Sequence, residues 1–94
     1  RVMICATPRV RLRPHELRRW SSFALIKQVA LGHRIGRTQG YLSRVSLGTA
    51  TLSVWDAGRL VAKINFNLRH DGRPERLRLR DLIAEWIWPF EAAA

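Results

Sequence analysis

Between Gln28 and Gly48 the chain reads QVALGHRIGRTQGYLSRVSLG, and this stretch restricts the fold more than any other. Leu31 and Ile35 fall on one helical face, and so do Leu42 and Val45. Gly36 interrupts the pattern where a turn needs positive φ, and Gly32 stands where two crossing helices need a small residue. Thr38 is suited to cap a helix at its start, and Gly48 to end one. The spacing predicts two short helices, over 27–35 and 39–47, joined by a tight turn.

The flanks extend this pattern. Pro14 marks a helix entry, and Leu17, Trp20 and Ala24 recur at helical spacing, predicting a helix over 15–23. Residues 1–13 read as a basic N-terminal arm or short extended segment, with Val10 and Leu12 alternating against Arg9, Arg11 and Arg13. Beyond Gly48 two readings stand. A fourth helix over 53–64, capped by Ser53, would bury Val54, Ala57, Leu60, Val61 and Ile64. Local alternation at Leu52, Val54, Ile64, Phe66 and Leu68 instead suggests strands. The favoured reading is the helix, then a hairpin of 64–68 with 77–79 around Asp71-Gly72, then a short helix over 81–88. Whether 63–80 is hairpin or helix stays open. With 94 residues the chain has room for one small domain. The expected architecture is mainly α, with four to five helices and an optional C-terminal β-hairpin. Its parts are the arm (1–13), the helix-turn-helix domain (14–64) and a C-terminal extension (65–94).

Charge gives the first functional constraint. The net charge is +10, and among the 17 basic residues only Lys27 and Lys63 are not arginine. Ten of the bases and a single acid, Glu16, lie in residues 1–48, against seven bases and six acids in the remainder. Solubility does not require such asymmetry, whereas a polyanion against the N-terminal half explains it. Nucleic acid is the first candidate and an anionic membrane surface the second. The lone Cys5 leaves no internal disulfide and points to a reducing compartment. No apolar run reaches the roughly 18 residues that cross a membrane.

The stretch QVALGHRIGRTQGYLSRVSLG resembles the helix-turn-helix of the phage repressor and Cro family of bacterial DNA-binding domains (the XRE type). The likeness extends upstream through Leu17, Trp20 and Ile26, and downstream through Ser53, Val54, Ala57, Leu60, Val61 and Ile64. Leu25 departs from it, replacing a frequent glycine. Gly40 supplies no side chain for base reading near the start of the recognition helix.

The resemblance implies a transcriptional regulator, such as a phage or prophage immunity repressor, in the bacterial cytoplasm at the nucleoid. The partner would be double-stranded operator DNA, and the helix over 38–47 would enter the major groove. Gln39 suits the edge of adenine and Arg44 the paired acceptors of guanine. Arg37, Thr38 and Ser43 would reach base edges or flanking phosphates. Gln28 matches the family's phosphate-binding glutamine and would buttress Gln39. Gly40 and Tyr41 complete the helix start, with Tyr41 either packing beside Leu42 or touching phosphate. Arg9, Arg11 and Arg13 would track the backbone or enter the minor groove as an arm, or guard a strand edge.

Other chemistry finds little support. His15, His33 and His70 share no spacing that gathers a metal, and Asp56, Asp71 and Asp81 look like surface pairs. No nucleophile triad, paired carboxylate or phosphate loop is present, so neither catalysis nor a cofactor is expected. Trp86, Trp88 and Phe90 would cap the core or form a homodimer contact. The alternatives are an antitoxin-type or other partner-binding helix-turn-helix protein, or a nonspecific nucleic-acid binder.

Overall fold

A computed structural model of the chain describes residues 7–87. Eight elements follow one another: β1 (Arg9–Leu12), α1 (Glu16–Phe23), α2 (Gln28–Ile35), α3 (Gln39–Leu47), β2 (Leu52–Ser53), α4 (Val54–His70), α5 (Leu79–Leu82) and β3 (Ile83–Ile87). The domain is mainly helical, with a small antiparallel sheet in the order β2-β1-β3. Cys5, Trp88 and Phe90 lie outside the described residues.

The first three helices lie within a residue of the limits their periodicity sets, and of the three only α3 has a side-chain N-cap. Leu17, Ala24, Ile26, Leu31, Ile35, Leu42 and Val45 all enter one core. Between α1 and α2 the chain turns through Leu25, whose φ is +60° although its side chain is 75% exposed. Ser53 caps α4 by accepting a hydrogen bond from the Asp56 N–H at 3.1 Å.

Three expectations are corrected. Residues 9–12 take the extended of their two expected forms and not that of a free arm: they are the central strand, because Val10 and Leu12 supply a buried face and both neighbouring strands pair with it. No hairpin forms around Asp71-Gly72. Helix α4 runs on past Ile64, since Leu68 continues the buried stripe of Ala57, Leu60 and Ile64 at helical spacing. Phe66, which the alternating reading would bury, is 54% exposed. Asp71-Gly72 serves instead as the helix stop, with Gly72 left-handed and the Arg73 N–H donating to the Leu68 carbonyl. Last, the segment expected as a helix over 81–88 contains only the end of the short α5 before it becomes β3. There Arg11 lies opposite Glu85 and Arg9 opposite Ile87, with an irregularity between Arg11 and Leu12.

Leu68, Leu77, Leu82 and Ile83 join the same core as the N-terminal helices, so the expected extension is part of the one domain. The irregular segment after α4 is held down at two points. The Asn65 side-chain amide donates to the Leu77 carbonyl and accepts from the Leu77 N–H. The Arg73 guanidinium lies 4.4 Å from the Phe23 ring centre.

Candidate nucleic-acid interface

The α2–α3 pair is built around a close approach. A Cβ on Gly32 would stand 2.7 Å from the Arg37 carbonyl oxygen, a separation that real side chains do not tolerate. Gly36 has φ +69°, and the Arg37 N–H behind it donates to the Gly32 carbonyl at 2.8 Å. The Thr38 hydroxyl accepts from the Tyr41 N–H at 3.1 Å and fixes the start of α3. At the other end Gly48 stops the helix, and Thr49 donates to the Arg44 carbonyl from both its N–H and its hydroxyl.

On the outside of α3, Tyr41 carries two arginines. The guanidinium carbon of Arg37 lies 5.1 Å from its ring centre and that of Arg44 lies 5.8 Å away. The phenol is committed inward, donating to the Thr51 carbonyl. Its ring is therefore a support for two exposed cations, while its hydroxyl is engaged within the domain. Arg37 and Arg44 form no ion pair among the described residues. Gln39 and Gly40 are exposed at the first turn, and Ser43 is half-buried one turn on. Next to Gly40 there is open space, the closest neighbour of a Cβ there being the Thr38 hydroxyl at 4.0 Å.

Gln28 begins α2 half-buried, with its amide nitrogen buried and without a hydrogen-bond partner. No hydrogen bond joins it to Gln39 among the described residues, so the expected buttress is absent from this conformation.

The three N-terminal arginines separate. Arg9 is spent on structure, since it donates to the Thr51 hydroxyl and carbonyl at 2.9 Å each and to the Tyr41 oxygen at 3.4 Å. Arg11 pairs with Glu85 at 3.2 Å and donates to the Gly48 carbonyl. Both are half-buried on the central strand, so neither belongs to a free arm. Arg13 remains exposed, its backbone N–H bonded to the Leu82 carbonyl.

Thr51 was not singled out from the sequence, yet it anchors Arg9 and Tyr41 and through them the arginine support. Nothing local signals this, because its partners lie ten and 42 residues away.

Among the described residues no group of three His, Cys, Asp or Glu side chains is placed to hold a metal ion, and no helix is long and apolar enough to cross a membrane. No family model, curated protein or solved structure matches this chain.

Proposed function

We propose that the chain is a sequence-specific double-stranded DNA-binding transcriptional regulator of the phage repressor and Cro type, reading the major groove with α3. The observation that carries this reading is the outer face of α3. Gln39 stands exposed at its first turn, and Arg37 and Arg44 are held over one aromatic ring with no ion pair to an acid among the described residues. An amide in the first turn of a helix, with guanidinium groups just before the helix and in its last turn, supplies the side chains that major-groove edges require. Preordering the arginines on Tyr41 reduces the side-chain entropy lost on binding.

In this reading Gln39 takes adenine and Arg44 guanine, while Arg37, Thr38 and Ser43 take bases or flanking phosphates. Arg13 adds a backbone contact, and Gln28 rotates its unpartnered amide nitrogen toward phosphate. The protein occupies an operator and blocks polymerase, without catalysis or cofactor, in the bacterial cytoplasm at the nucleoid. Phage or prophage immunity is the natural setting for a domain of this kind.

One observation favours a homodimer. Among the described residues β3 is an edge strand, and Trp86 on it is 44% exposed. A second copy, or an antitoxin's partner, would extend the sheet there.

The test is selection of bound duplexes from a random pool at about 150 mM salt, which suppresses purely electrostatic binding. A sharp motif of several base pairs is expected, and its symmetry reports monomer or dimer. Enrichment without any motif would overturn the regulator reading.

A further inference from the structure

A second basic surface lies on α2 and α4, with no residue of α3 among those that line it. It is a groove of about 560 Å³ lined by Arg34, Ala62, Lys63, Asn65, Phe66 and Arg69. No acid lines it, and none of its three cations forms an ion pair among the described residues. Arg34 and Arg69 sit in the last turns of their helices, where each complements a helix dipole. That role explains them singly but not their meeting with Lys63, a mid-helix residue, on one concave surface. Three like charges in one groove raise the local potential and favour an anion.

The groove also carries an aromatic element. Phe66 is 54% exposed, the Lys63 ammonium lies 5.5 Å from its ring centre, and His70 stacks against it with centres 6.3 Å apart. An exposed planar surface beside converging cations suits a ligand that joins phosphate to a flat ring. Asn65 is tied to Leu77 and acts as a fixed wall. The volume is that of a small-ligand site.

We propose that this groove binds a nucleotide, with its phosphates among Arg34, Lys63 and Arg69 and its base against Phe66. The site is independent of the reading of α3. The same chemistry comes from a free nucleotide or from an unpaired end of a nucleic-acid strand.

Titration calorimetry of the intact chain with ATP, tripolyphosphate, adenosine and a short single-stranded oligonucleotide tests it. ATP is expected to bind about tenfold more tightly than tripolyphosphate, because stacking adds to the charge term. Adenosine alone should show no binding. Lys63→Glu and Arg69→Glu should each weaken ATP by about tenfold or more, reversing one charge of the cluster. Phe66→Ala should reduce ATP to the level of tripolyphosphate, and Arg18→Glu, the same charge reversal at an exposed arginine of α1, should leave ATP and tripolyphosphate binding unchanged. These groups are exposed or half-buried, and unaltered thermal unfolding of the variants verifies that they fold.

If the single strand binds more tightly than ATP and loses affinity in the same variants, the strand is the source. If ATP binds more tightly, the source is a free nucleotide. Absence of binding by ATP, tripolyphosphate and the strand at millimolar concentration would overturn the proposal, and so would equal weakening of ATP by Arg18→Glu. Duplex selection through α3 is unaffected by either result, so the two readings fail separately.

Discussion

Gly32 and Arg37 approach so closely that a Cβ on the glycine would stand 2.7 Å from the arginine's carbonyl oxygen. Backbone, not a flexible side chain, occupies the space, so the clash cannot be relieved by a rotamer change. Gly32→Ala should lower stability by about 1–3 kcal/mol through overpacking. Gly40→Ala, in open space on an exposed turn, should raise it by about 0.5–1 kcal/mol. Denaturant unfolding of the two variants checks the pair, and equal effects would contradict the close approach.

Leu25 occupies the left-handed position that closes α1, its N–H donating to the Ser22 carbonyl at 3.1 Å and the next N–H, of Ile26, to the Ser21 carbonyl at 2.8 Å. At φ +60° and 75% exposed, it bears steric cost without matching burial. Leu25→Gly should stabilise the domain by about 0.5–1 kcal/mol, the relief of strain less the greater chain entropy of glycine. A rise in melting temperature is expected, and a fall would show that the leucine packs in a way its exposure conceals.

The arginine support makes a prediction about specificity. Arg44→Ala should cost about 1–3 kcal/mol on the selected site and relax preference at one or two base pairs. Tyr41→Leu removes the ring under both guanidinium groups and should weaken specific binding more than random-sequence binding. Binding isotherms on both kinds of duplex measure this. Equal losses on the two would leave α3 as a charge surface only.

Asn65 satisfies both backbone polar groups of Leu77 in a partly buried setting. Asn65→Ala strands that N–H and carbonyl, and should cost about 1–3 kcal/mol. Hydrogen exchange at the Leu77 amide is the direct readout, and it should accelerate well beyond the exchange of amides in α3.

Glu16, half-buried at the start of α1, carries a pH signature. The hydrogen bond from Arg19 holds its carboxyl below the ordinary range, opposed by desolvation and aided by the charges of Arg19 and Arg13. A folded value below the unfolded one means the stabilisation is complete above the unfolded value of about 4.3 and is lost as pH falls through the folded one. The stability gap between the wild type and Glu16→Gln should therefore be open at neutral pH and close in acid. A gap independent of pH would assign the effect to packing.

The helices and the site differ in how far the sequence discloses them. Thr38, Gly36 and Gly48 act on residues within five positions of themselves, so the limits of α2 and α3 are readable from local chemistry. The sheet is not readable that way, because β1 takes one partner about 40 residues onward and the other more than 70. Arg9 and Arg11 look free in sequence for the same reason, since Thr51 and Glu85 reach them only through the fold. Asp71-Gly72 illustrates a different failure. A left-handed glycine after an aspartate serves a hairpin or a helix end equally, and only the burial of Leu68 decides between them. The support of Arg37 and Arg44 on Tyr41 lay within reach of sequence reasoning, being one helical turn, whereas the commitment of the Tyr41 hydroxyl did not.

The pairing of Arg9 with Ile87 has a topological consequence. Opposed residues of antiparallel strands lie about 5 Å apart, so the polypeptide enters and leaves this unit through neighbouring points. A circularly permuted version, closed by a few glycines there and reopened at Asp71-Gly72, should fold to the same arrangement. The unit is equally suited to insertion into a surface loop of a host protein, which would feel the graft as little more than a widened turn.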